Sequence, residues 1–112
     1  MVDRNDALLS DIAECLLRIE QELRYLGEWR AEEPRPSALQ STRPFCIDTL
    51  EFTEWLQFVF IGRMKVLVEK GYELPGVSGM APMAEEHFRG RDQSGDGLIR
   101  ILAEMDRLLS RD

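Results

Sequence analysis

The sequence is short of the residues that most often carry chemistry. Its 112 residues include one histidine, His87, and two cysteines, Cys15 and Cys46. The cysteines are far apart and form no CxxC pair. No HExxH or ExxH spacing surrounds the histidine, so the usual zinc-ligand patterns are missing. Positive charge is scarce too: 14 Lys and Arg stand against 21 Asp and Glu, a net charge of −7. Affinity for nucleic acid comes largely from Lys and Arg neutralising phosphates, so the balance has the wrong sign for direct binding. Long apolar runs are absent. The most apolar stretch, Trp55 to Gly62, is bounded by Glu54 and Arg63, far short of the about 20 residues that a spanning helix needs. No useful length of apolar–polar alternation appears, which argues against sheet folds. A chain of 12.9 kDa fits one domain, 1–112, and is too short for a Rossmann enzyme or a TIM barrel.

What is present reads as helix. Leu9, Ile12, Leu16, Ile19, Leu23 and Leu26 recur three and four apart and make one stripe of an amphipathic helix. Asp3 or Asn5 is placed to cap it, and Glu14 and Arg18 form a favourable i,i+4 pair. Residues 32–47 hold three prolines and predict a stiff connector, packed on the surface through Leu39, Phe45 and Ile47. Asp48 to Glu51 has capping-box spacing. A second helix follows through Phe52, Trp55, Leu56, Val59, Phe60, Met64, Leu67 and Val68, and Gly71 is placed to end it. Its apolar arc is wide, so it is expected at the centre, with one side as core or as a partner surface. Pro82 suits the first turn of a short third helix, from Ala81 to Phe88. The last helix shows Leu98, Ile101, Leu102, Met105, Leu108 and Leu109, with Asp96 as its cap. The expected fold is all-α: a compact four-helix bundle with a long Pro-containing connector between helices one and two.

The motifs that imitate ligand sites fail on detail. Asp92-Gln93-Ser94-Gly95-Asp96-Gly97 follows the start of an EF-hand loop, but Ala103 stands where the bidentate Glu belongs. Glu85, Glu86 and His87 are adjacent, so a helix points them apart; the expectation is two dipole-facing carboxylates and an exposed histidine. There is no G-x-S-x-G elbow and no P-loop lysine after Gly76-Val77-Ser78-Gly79. Cys15, beside the apolar stripe, reads as an inert thiol. No catalytic residue, metal site or cofactor is assigned. Without a secretory apolar segment after a charged start, the expected location is cytoplasmic, with both thiols reduced.

One string of residues is more specific. Trp29, then Glu33-Pro34-x-Pro36, then Ser41-Thr42-x-Pro44-Phe45-x-x-Asp48-Thr49-Leu50-x-Phe52-x-Glu54-Trp55-Leu56-Gln57-Phe58-Val59-Phe60-Ile61, Arg63-Met64, Leu74-Pro75-Gly76 and Ala81-Pro82-Met83-Ala84-Glu85-Glu86 resembles the YqcC-like family of small bacterial proteins. The similarity covers most of the chain and is densest from Thr42 to Met64. Where the family reads Ile-Pro-Arg-Met, this chain has Gly62, which implies a looser kink. The resemblance implies a four-helix all-α bundle. Family members are often encoded beside a tRNA pseudouridine synthase of the TruC type, which implies a helper role in tRNA modification and supplies no catalytic residues.

Two functions of different class follow. The first is a non-catalytic partner protein of such a synthase, meeting a basic surface through Asp11, Glu14 and Glu22 on the outer face of the first helix. The second is a small-molecule or enzymatic site around 42–63, with Trp29, Thr42, Asp48, Trp55, Gln57 and Arg63 as speculative binding residues. Asp48 as a helix cap and Arg63 in an ion pair are the competing structural roles.

Overall fold

The computed structural model describes residues 4–110. Four helices follow one another. Helix α1 is Arg4–Tyr25, α2 runs over 52–70, α3 is Met80–Phe88 and α4 is Asp96–Leu109. Short 3₁₀ turns at Ala38–Gln40 and Pro44–Cys46 punctuate the connector between α1 and α2. No strand occurs among the described residues.

The α1 stripe is buried from Ile12 on: Ile12, Leu16, Ile19 and Leu23 join one core with Leu56, Met64, Met80, Leu98, Leu102 and Met105, while Leu9, expected in the same stripe, is half-buried and lies outside that core. The longest packing is α1 along α4. Glu22 lies over Gly97, Cys15 lies near Glu104, and Leu8 shares a cleft with Leu108 and Leu109, so the two helices run antiparallel. Helix α3 packs on α4 and on the first turn of α2, while the last turns of α2 lie against α1.

Helix ends follow local chemistry. Asp3 lies outside the described residues, and Asn5 is inside α1 rather than at its cap. Glu14 and Arg18 pair at 2.8 Å as the spacing predicts. Both α1 and α2 end on a left-handed glycine, Gly27 at φ 73° and Gly71 at φ 67°. In each case the next N–H reaches back five residues, Glu28 to Leu23 and Tyr72 to Leu67, which satisfies carbonyls that the helix leaves open.

Helix α2 departs from regular geometry. It is α-helical over Phe52–Glu54, π-helical over Trp55–Ile61 and α-helical again over Gly62–Lys70. The buried residues explain this. Phe52, Leu56, Phe60 and Met64 recur every four positions, with Thr53, Gln57 and Ile61 beside them. An α-helix turns about 100° per residue, so a row of fours drifts about 40° at each step and about 120° from Phe52 to Met64. The wider π turn, with its i→i+5 bonds, takes up that drift and keeps both rows against the core. The irregularity thus precedes Gly62, which itself sits at helical φ −57° and ψ −48°.

Candidate functional site

The connector is tied down at its base by one residue pair. The amide of buried Gln57 brackets the backbone of Arg30: Arg30 N–H donates to Gln57 Oε1 at 2.9 Å, and Gln57 Nε2 donates to Arg30 C=O at 2.8 Å. The Arg30 guanidinium then reaches Glu51 at 2.7 Å and Glu54 at 3.8 Å. Glu54 also accepts from Glu51 N–H at 3.0 Å, which caps α2. Residues 31–50 therefore form a loop whose two ends meet at Arg30, Glu51 and Gln57. Inside it, Thr49 Oγ1 donates to Ala38 C=O at 2.7 Å and Ser41 Oγ donates to Asp48.

The loop is anchored by aromatic packing at some backbone cost. Phe45 and Cys46 are both left-handed, at φ 57° and 50°, an arrangement that costs on the order of 1 kcal/mol per non-glycine residue. In return the Phe45 ring meets Trp55 edge-on at 4.8 Å and Phe52 at 6.0 Å, and Cys46 turns inward. Trp55 also stacks on Phe60 at 5.6 Å, five residues along, a pairing that the π turn brings into line.

The six residues singled out from the sequence lie in separate environments. Gln57 is engaged with Arg30, and Trp55 with the aromatic cluster. Trp29 is half-buried under Arg24, whose guanidinium lies 4.8 Å from its ring. Asp48 accepts from Ser41 and does not cap α2; that role falls to Glu51, three residues on, because the turn at 44–46 delays the helix. Thr42 and Arg63 are exposed, and Arg63 makes no ion pair among the described residues. Five surface clefts of about 330–500 Å³ are lined by other residues.

Several expectations are corrected. Ile47 is 61 % exposed and does not anchor the connector; the left-handed pair sends Cys46 inward instead. His87 is not an exposed histidine. Its side chain is 7 % exposed and its Nε2 lies 3.1 Å from Glu28 Oε1, in the turn after α1. Asp96 is the first residue of α4 rather than its cap, which is Gly95. The acidic face of α1 is not uniformly free: Glu14 is paired with Arg18, and Glu22 is half-buried against Gly97 at the start of α4.

Other polar groups were not foreseen. Asp106 on α4 caps α3, accepting from Met80 N–H at 3.1 Å and Ala81 N–H at 2.9 Å. The Thr53 hydroxyl is fully buried without a hydrogen-bond partner among the described residues. Burial, and then the Glu104 carboxylate, pushes the Cys15 thiol above its ordinary value, so it stays protonated. Both cysteines are free and buried. No group of three or more His, Cys, Asp or Glu stands ready to hold a metal among the described residues. Among these residues, too, no helix is long and apolar enough to cross a membrane.

Fold and site together define an all-helical bundle whose polar network secures its own connector. Residues 11–108 match the model of the DUF446 family, described as tRNA pseudouridine synthase C, and the chain belongs to that family. It is 41 % identical over 93 residues to the uncharacterized protein YqcC of Escherichia coli K12, covering 83 % of each chain. The solution NMR structure of E. coli YqcC superposes with a TM-score of 0.71 at 35 % identity, over 96 % of this chain and 89 % of that one. A longer relative also matches. The tRNA pseudouridine synthase C of Pectobacterium carotovorum is 32 % identical over 84 residues, which is 75 % of this chain and 22 % of that protein.

Proposed function

We propose that this protein is a non-catalytic helical partner of a tRNA pseudouridine synthase, acting in the cytoplasm. One observation carries the reading: a protein named tRNA pseudouridine synthase C contains a region similar to this bundle that accounts for only 22 % of its length. A module joined to an enzyme in one chain is a natural candidate to meet that enzyme as a separate chain. Covalent joining replaces an encounter between two molecules with a high local concentration. The chemistry of the bundle fits a partner better than a catalyst. Gln57, Asp48 and His87 are bonded to residues of their own chain. The net charge of −7 suits contact with an RNA-binding, and therefore basic, enzyme rather than with RNA.

The test is co-purification of the protein with the synthase of the same organism at low and physiological salt. Recovery of a stoichiometric complex, weakened by salt, is the expected result. Separate elution at both salt concentrations overturns the reading.

A further inference from the structure

The antiparallel pairing of α1 with α4 brings the start of the first helix and the finish of the last to one end of the bundle. Glu22 lies over Gly97, where α1 finishes and α4 begins. At the opposite end, Leu8 of α1 shares a cleft of about 470 Å³ with Leu108, Leu109 and Ser110. The segment that follows α2 forms the third wall of this cleft through Tyr72, Leu74 and Pro75. Leu8, Leu74 and Leu108 are partly buried against the core, while Tyr72 is 57 % exposed. An exposed tyrosine beside half-buried leucines has the composition of an interface anchor.

Topology selects what covers this end. The longer Pectobacterium relative holds a region similar to this bundle within a chain of which that region is 22 %. Whether the rest of that chain precedes the bundle, follows it or does both, it joins where α1 starts and α4 finishes. The far end also has a cleft and an exposed tyrosine, Tyr25, so surface composition favours neither end. The tether decides. Helix α1 has 22 residues, about 33 Å, and a tether reaching along it to the far end needs about ten extended residues. An enzyme seated on the near end needs none of these, and effective concentration falls as a tether lengthens.

We infer that the synthase seats on the end of the bundle built from the start of α1, the segment after α2 and the finish of α4. It places an apolar side chain in the cleft between Leu8, Leu74 and Leu108 and against the Tyr72 ring. The inference rests on the partner reading above and moves the contact from the outer face of α1 to the end of the bundle.

The experiment is calorimetric titration of the same organism's synthase with wild type, Tyr72→Asp and Tyr25→Asp, with hydrogen exchange of the wild type free and bound. Sedimentation of each protein alone accompanies it. Both variants add one carboxylate at an exposed tyrosine, so general charge effects cancel between them. The expected result is at least about a tenfold loss of affinity for Tyr72→Asp and little change for Tyr25→Asp. Binding is expected to slow exchange in residues 71–77 and not in 93–97. The exchange footprint needs no substitution and decides the matter if Tyr72→Asp disturbs the fold. Loss with Tyr25→Asp alone, equal affinity of all three proteins, or protection confined to 93–97 overturns the inference while the partner reading stands. If wild type does not bind, both fail. A wild-type dimer dissociated by Tyr72→Asp overturns the inference in favour of a second copy.

Discussion

Two buried side chains in the first turns of α2 behave in opposite ways. Gln57 satisfies the N–H and C=O of Arg30 at once, whereas the Thr53 hydroxyl, one turn earlier, has no hydrogen-bond partner among the described residues. A hydrogen bond contributes about 0.5–1.5 kcal/mol net, and leaving a buried partner unpaired costs about 1–3 kcal/mol. Gln57→Ala is therefore expected to lower stability by about 2 kcal/mol, read from the urea midpoint; an unchanged midpoint means that water replaces the amide without loss. Thr53→Val removes an unpaired hydroxyl and keeps the branched shape, so its melting temperature is expected to equal or exceed that of wild type. A clear drop shows that the hydroxyl has a partner in solution. Neither role is written in the sequence. Gln57 was visible as a polar residue within an apolar run, but its partner is a backbone group 27 positions away, and backbone groups leave no mark in residue types. The same holds for His87, whose burial depends on Glu28 arriving from the turn after α1.

Element boundaries show where local signals suffice and where tertiary ones take over. The amphipathic stripes of α1 and α4 and the glycine that ends α2 were legible because each is decided within a few residues. The start of α2 was misplaced because Asp48 and Glu51 both have a Glu or near-equivalent three positions on, and only the turn at Pro44–Cys46 chooses between them. The π stretch had a readable signal in the strict fours of Phe52, Leu56, Phe60 and Met64, which no regular α-helix keeps on one face. Helix α3 is the element most dependent on the rest of the molecule. It has nine residues, no capping side chain of its own, and a start held by the Asp106 carboxylate from α4. Two charge-assisted bonds at a helix N-terminus are favoured by the helix dipole as well. Asp106→Ala is expected to cost about 1–2 kcal/mol, and hydrogen exchange should show the amides of Met80 and Ala81 losing protection before those of α1. Uniform protection in the variant shows that α3 is held by packing alone.

At the scale of the whole molecule, one core links all four helices, and its burial drives the fold. Leu16 is 5 % exposed at the centre of the α1 stripe. Leu16→Asp places a carboxylate there without a partner, a cost of several kcal/mol against a total stability of about 5–15 kcal/mol for a domain of this size. Loss of the cooperative melting transition is expected; a variant with wild-type circular dichroism and melting shows that α1 is not packed in this way. The bundle was readable from periodicity, since hydrophobic spacing is what the core responds to, and the connector from its prolines. The candidate site was not, because its residues were chosen by chemical type while the structure distributes them among capping, stacking and clasping. Net charge is the property that survives every such rearrangement. At −7, with Arg18, Arg24 and Arg30 already held by Glu14, Glu20 and Glu51, the overall sign opposes a phosphate backbone. The isolated protein is therefore expected not to shift tRNA in a gel at physiological salt, while a mixture with the synthase shifts as a single larger species. Tight binding of tRNA by the protein alone contradicts the charge argument and directs attention to Arg35, Arg43 and Arg63, which no acidic side chain neutralises among the described residues.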